Sequence, residues 1–258
     1  MTEPSDRYYS KFFEKGLRVL SLFSPNRAVL SLKEIAAAIG VDKSSAYRFA
    51  NTLVRLNYLK KDPATKVLTL APKAYSLGLN LVKSFSLLQI IKPLIDEAYV
   101  VHQITIDSAI LESYTLLKLY QRLAPDALSY QLPQVERAIH CTALGKAILA
   151  FLPENEKKEI IDQLPFVKKT DNSIMKKDAL VADLGETRKR GYSINNEEYI
   201  VGVFAIGAPF FDLETNRPMG AISFDFSIIQ YSLVQAEKKY SGVLLNLAHE
   251  ISKMIPSF

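Results

Sequence analysis

SLKEIAAAIGVDKSSAYRFANTLVRLNYL, residues 31–59, decides how the first part of the chain folds. Ser31 and Glu34 have the spacing of a capping box, in which two side chains satisfy the orphan amides of a helix start. Leu32, Ile35, Ala36 and Ile39 then recur at helical spacing. Gly40 ends that helix by taking a left-handed backbone, and Asp42 caps the next one. Two short helices joined by so tight a Gly-containing turn make a helix-turn-helix, a unit whose second helix enters the DNA major groove.

That second helix has two chemistries. Ala46, Phe49, Leu53 and Leu56 fall at intervals of three and four and are expected to face inward. Lys43, Ser44, Ser45, Tyr47, Arg48, Asn51 and Arg55 bring hydroxyl, amide and cationic groups to the rest of the surface, the types that pair with phosphates and base edges. Tyr58–Lys61 and Lys66–Leu70 follow as strand-like runs around the turn Asp62-Pro63-Ala64-Thr65. A hairpin placed after such a helix is a wing, and this one carries Lys60, Lys61 and Lys66.

Charge divides the chain in the same place. Residues 1–80 hold 13 Lys and Arg against 6 Asp and Glu, a net +7, whereas residues 81–258 have a net −2. A basic field confined to the helix-turn-helix attracts a polyanion and releases its counterions on contact. Two domains are expected, 1–78 with the start of a linker helix and 79–258. No apolar run approaches the length of a membrane helix, and the polar N-terminus shows no signal peptide. One cysteine suits a reducing cytoplasm and excludes an internal disulfide; with three scattered histidines, no structural metal or other cofactor is expected.

Before the hairpin, residues 7–23 read as a helix with an apolar stripe of Phe13, Leu17, Leu20 and Phe23. After it, residues 72–101 read as two helical segments broken near 83–86, a helical linker with Pro93 starting or kinking a later turn. Beyond lie strands at Ile104–Ser113, Tyr114–Ala124 and, more weakly, 127–139. Helices follow at Thr142–Phe151, 153–163 and Lys176–Arg190, then strands near Val203–Phe211 and Met219–Phe226 and a closing helix over 229–254. This order predicts an α+β domain with a mostly antiparallel sheet.

Three blocks give the chain a resemblance over nearly its whole length. They are the helix-turn-helix with its tail TLVRLNYLKKD, then HCTALGKAILA at 140–150, and RKRGYSINNEEYIVGVFAIGAPFFD at 188–212 followed by GAISFDFS at 220–227. Together they resemble the IclR-type bacterial transcriptional regulators. The resemblance implies an N-terminal winged helix-turn-helix and a C-terminal GAF/PAS-like domain that binds a small-molecule effector. It also implies homodimers, often paired into dimers of dimers, acting on double-stranded DNA with a palindrome-like operator. It places Asn195, Ala205, Ser223 and Asp225 in the effector pocket, with Cys141 and the loop about Gln131-Leu132-Pro133-Gln134 at its rim. The chain departs from the family pattern at Asp225, where a hydroxyl is usual, and at Ala138, where a proline is common. A carboxylate at 225 repels an anion unless a cation such as Arg137 offsets it, which leaves a neutral or amine-bearing effector open.

The residues show no enzyme. His140 and Cys141, read as neighbours on a strand, point to opposite faces and cannot form a nucleophile–base pair. Gly145-Lys146 lacks the upstream glycine of a phosphate loop; Gly145 is expected to let a helix approach the sheet. Glu197 and Glu198 read as a loop anchor. The alternative is a metabolite-binding protein or enzyme whose winged helix makes protein contacts only.

Overall fold

The computed structural model describes residues 9–24, 27–74, 76, 86–125 and 135–255. Its contacts separate into two compact units, Met1–Phe85 and Ser86–Phe258.

In the first unit, α1 (Lys11–Ser21), α2 (Leu32–Ile39) and α3 (Lys43–Arg55) precede a hairpin of β1 (Leu59–Lys61) and β2 (Leu68–Leu70). The capping box is present: Glu34 N donates to Ser31 Oγ (3.3 Å) and Ser31 N donates to Glu34 Oε2 (2.8 Å). Gly40 ends α2 at φ 66°, and Asp42 caps α3 by accepting from Ser45 N at 2.9 Å. Asn57 takes the left-handed turn out of α3 at φ 61°, a conformation asparagine tolerates better than other non-glycine residues. Leu30 and Leu68 exchange both backbone hydrogen bonds, tying the chain before α2 to the hairpin. Val19, Leu30, Ile35, Ile39, Ala46, Phe49, Leu53, Leu59 and Leu68 form the core.

Two expectations fail in this unit. Of α1, Val19 is the buried residue, while Phe13 and Leu17 of the expected stripe are exposed. Leu56 is also exposed, because it lies past the last turn of α3 where the helical phase no longer carries it inward; Ala50 is buried in its place. Of the expected linker, residues 72–74 and 76 are helical, and 75 and 77–85 lie outside the described residues. Pro93 falls inside α4 (Ser86–His102) and starts no separate turn.

The second unit is built on six strands: β3 (Thr105–Glu112), β4 (Thr115–Arg122), β5 (Val135–Glu136), β6 (Ser193–Asn196), β7 (Val203–Asp212) and β8 (Arg217–Ser227). They form one antiparallel sheet in the order β5-β4-β3-β8-β7-β6. Four helices join α4 around it: α5 (Ala143–Phe151), α6 (Glu154–Gln163), α7 (Lys177–Arg190) and α8 (Leu233–Met254). The alternation along β7 and β8 assigns the two faces. Phe204 stacks on Phe226, which packs on Tyr240 of α8. On the other face Gly207 meets the first residue of α5: a Cβ at 207 would sit 2.8 Å from the Ala143 carbonyl oxygen.

That contact corrects the role expected of Gly145. A Cβ there would collide with the Ile139 carbonyl, which belongs to a turn of 3-10 helix, Ile139–Cys141, and not to the sheet. The glycine that lets the helix reach the sheet is Gly207. The 3-10 turn also replaces the strand expected through His140 and Cys141; of the weak 127–139 strand, residues 127–134 lie outside the described residues. β6 is absent from the sequence reading, because four residues between Gly191 and a polar turn carry too little alternation to identify a strand.

Gly207→Ala is expected to destabilise the protein by about 1–3 kcal/mol, since the new methyl has to displace the Ala143 backbone and the Ser193 hydroxyl. Denaturant unfolding checks this; an unchanged midpoint would show that α5 can retreat from the sheet.

Candidate functional site

On the first unit, Lys43, Ser44, Tyr47, Arg48 and Asn51 are exposed on α3, and Lys60 is exposed on β1. Lys43, Arg48 and Arg55 form no ion pair among the described residues. Ser45 is half-buried, and its hydroxyl donates to Asp42 Oδ2 at 2.6 Å, so it holds the start of α3. That hydrogen bond, with the backbone one, keeps the Asp42 carboxyl below the usual carboxylate range. The Lys61 ammonium lies 5.4 Å from the centre of the Tyr47 ring, joining the wing to the helix. At the wing turn Asp62 Oδ1 accepts from Ala64 N, Thr65 N and the Thr65 hydroxyl, which fixes the hairpin between Lys60 and Lys66. A rigid polar helix face beside a cationic hairpin is a nucleic-acid-binding arrangement.

On the second unit, strand register assembles the other group. Asn195 pairs with Ala205, Ala205 with Asp225, and Asp225 with Thr105, so the four form one row across the sheet. The neighbouring row runs Ser193, Gly207, Ser223, Asp107, Gln121. Both rows lie on the α5 face, where Ser193 Oγ donates to the Ala143 carbonyl at 2.6 Å. Asn195, Ala205, Ser223 and Asp225 line a concavity of ≈ 390 Å³ including its solvent-open mouth. Its enclosed part has room for about two waters. The rest of the lining comes from Asp107, the start of α5 (Thr142, Ala143, Leu144) and the segment before β7 (Tyr199, Ile200, Val203).

Cys141 and Arg137 stand outside this lining. Cys141 is fully buried with Sγ directed at the Ala138 carbonyl (3.2 Å), and burial, reinforced by Glu198 and Glu136, pushes its thiol up to about 12. That thiol is inert as a nucleophile because it does not ionise. Arg137 is exposed, and no cation lines the concavity among the described residues. The expected rim at 131–134 lies outside the described residues.

Asp107 is a lining residue that sequence reasoning missed. It is 2% exposed, accepts from Gln121 Nε2 at 3.0 Å through Oδ2, and has no hydrogen-bond donor for Oδ1. Burial and then the Asp225 charge push its carboxyl well above the carboxylate range. Burial pushes Asp225 to about 6, against the hydroxyl hydrogen bond from Ser223 (2.8 Å). Two adjacent carboxyls in a low-dielectric site cannot both ionise at low cost, so the pair retains a proton. A charged residue on the inner face of ITIDSAIL was the available signal; its meeting with Asp225 depends on cross-strand register.

Behind the concavity, Lys146 is fully buried on α5, 2.6 Å from Glu198 Oε1 and 3.1 Å from Asp183 Oδ2. Burial raises the Glu198 pKa, and Lys146 opposes the rise. The Glu198 backbone amide donates to Asn195 Oδ1 (2.9 Å) and orients that lining side chain. Glu197 Oε2 accepts from Gly202 N (2.7 Å) and closes the loop before β7.

A DNA-reading helix and wing on one unit, with a polar concavity on the other, define a ligand-responsive transcriptional regulator. The chain belongs to the IclR family: residues 13–63 match the IclR helix-turn-helix domain, and residues 79–253 match the C-terminal domain of the bacterial transcriptional regulator IclR. It is 28% identical over 208 residues to the HTH-type transcriptional regulator BhcR of Paracoccus denitrificans, covering 80% of this chain and 74% of that one. It shares its fold with an IclR family transcriptional regulator from Brucella abortus (TM-score 0.81, 20% identity, 99% and 96% of the two chains). It also matches an IclR homologue from Microbacterium hydrocarbonoxydans complexed with 4-hydroxybenzoate (TM-score 0.76, 18% identity, 94% and 98%).

The acid pair makes stability depend on pH. A carboxyl whose pKa is raised by folding favours the native state at low pH, and that contribution is lost as pH rises through about 6. His140, whose pKa burial lowers, acts in the opposite direction nearby. The difference between wild type and Asp225→Asn cancels the histidine. The Asp225→Asn variant is expected to gain in melting temperature relative to wild type between pH 5 and 7.5; a constant difference across that range would refute the shared proton.

Proposed function

We propose that the chain regulates transcription by binding a palindrome-like operator as a homodimer, or a dimer of dimers, in the cytoplasm. Lys43, Ser44, Tyr47, Arg48 and Asn51 of α3 contact the major groove, Ser45 acts through the cap it shares with Asp42, and Lys60 of the wing contacts the backbone. The observation that carries this reading is the exposed face of α3, whose cations Lys43 and Arg48 have no protein partner among the described residues. One short helix makes few base contacts, so two copies on a two-fold site supply the specificity. The effector is a small molecule held against Asn195, Ala205, Ser223 and Asp225; the family neighbour bound to 4-hydroxybenzoate supports small-molecule binding. The chain works by binding and not by catalysis, a reading supported by the inert Cys141 and by relatives named as regulators. The ligand changes DNA affinity by binding one arrangement of the protein better than another, and the coupling is reciprocal.

Arg48→Ala is expected to cost about 1–3 kcal/mol at the operator, with relaxed sequence preference. Lys60→Ala should weaken all duplexes alike and lower the salt slope by about one. Gel-shift titration at several salt concentrations measures both; unchanged affinity in the two variants would overturn the DNA interface.

A further inference from the structure

We infer that the concavity on the α5 face takes a small zwitterion of the amino-acid class, its ammonium on Asp107 and Asp225 and its carboxylate on the first amides of α5. This rests on the effector reading above and specifies the ligand.

The acid end is set by geometry. Asp107 Oδ1 is buried with no N–H or hydroxyl donor among the described residues, it lines the concavity, and Asp225 lies beside it. A buried carboxylate oxygen lacking a donor costs free energy that a ligand N–H recovers. No lining cation among the described residues competes for that position.

The opposite end is the start of α5. The Thr142 amide donates to the Ile139 carbonyl (3.3 Å), and the Gly145 amide to Thr142 Oγ1 (3.0 Å). The amides of Ala143 and Leu144 remain without an intrahelical acceptor, as the first turn of a helix requires, and both residues line the concavity. Helix-start amides favour a carboxylate. Donors at one end and acceptors at the other match a ligand that carries both charges; since the enclosed space holds only about two waters, its carbon skeleton extends into the solvent-open mouth. A plain anion would satisfy only the α5 end and bring its charge toward the acid pair.

Binding has a proton consequence. Below about pH 6 the pair holds a proton, and an ammonium that donates to both carboxyls displaces it to the buffer. From the elements around the pair, Lys118 of β4 acts electrostatically on Asp107, and Tyr199 precedes β7. Thr142, Ala143 and Leu144 bring no charge.

The test is a thermal-shift screen of the full-length protein at pH 7 with the twenty L-amino acids and 4-aminobutyrate, each compared with its hydroxy-acid counterpart. At least one amino compound is expected to raise Tm in a dose-dependent way, with its hydroxy analogue at least tenfold weaker. Calorimetry of that compound at about pH 5.5, in acetate and in MES, should show proton release, and Asp225→Asn should remove both the release and the preference. No shift from any amino compound, equal binding of the hydroxy acid, or proton uptake would overturn the zwitterion. Ala205→Leu separates the two readings, because it fills the concavity. If a hydroxy acid binds wild type and Ala205→Leu abolishes it, the effector site stands and the ligand class falls. If Ala205→Leu leaves every ligand's binding intact, the site itself is wrong.

Discussion

The approach of α5 to β7 governs the second unit. Gly207 has no Cβ where the Ala143 carbonyl needs to pass, and Ser193 Oγ donates to that same carbonyl at 2.6 Å. One missing methyl and one hydroxyl therefore set the height of a helix above the sheet. Because the helix starts there, its first residues line the same concavity as Asn195, Ala205 and Asp225. Raising it would separate the donors from the acceptors across the concavity.

Electrostatics in this unit are layered. The innermost charges are paired, Lys146 lying between Glu198 and Asp183, and the backbone amide of Glu198 donates in turn to Asn195. Removing one member would leave an uncompensated buried charge, far costlier than replacing the group with apolar residues. The next layer, Asp107 and Asp225, is mismatched. The inner carboxylates share a cation, whereas the Asp107–Asp225 pair beside an opening has none among the described lining residues and keeps capacity for a partner from outside.

Much of the first unit was legible because its signals are local. The Ser31–Glu34 box, Gly40 and Asp42 each act within four residues, and each sits where a one-dimensional reading puts it. The apolar stripe of α1 was half right: Leu20 and Phe23 pack against the core, but Phe13 and Leu17 are exposed, because periodicity identifies a face without saying what covers it. Val19 is buried, and Phe12 lies against Phe49 across a ring distance of 4.6 Å. In the second unit the resemblance brought Asn195, Ala205, Ser223 and Asp225 together. Asp107, Lys146 and the role of Gly207 depend on which strand lies beside which, information that exists only after the sheet has closed. Cys141 was misplaced because a 3-10 turn rotates it away from the face a strand would have given it.

Burial of that sulfur has a practical side. Cys141 is the sole cysteine of the chain, and its thiol stays protonated up to about pH 12. The folded protein therefore offers almost no thiolate to peroxide, disulfide or maleimide. Its response is insulated from oxidants that would switch a thiol-based sensor. A cysteine introduced on the exposed face of α3 or at the wing would be the one reactive sulfur in the molecule, so a fluorophore could be attached there without first removing the native residue.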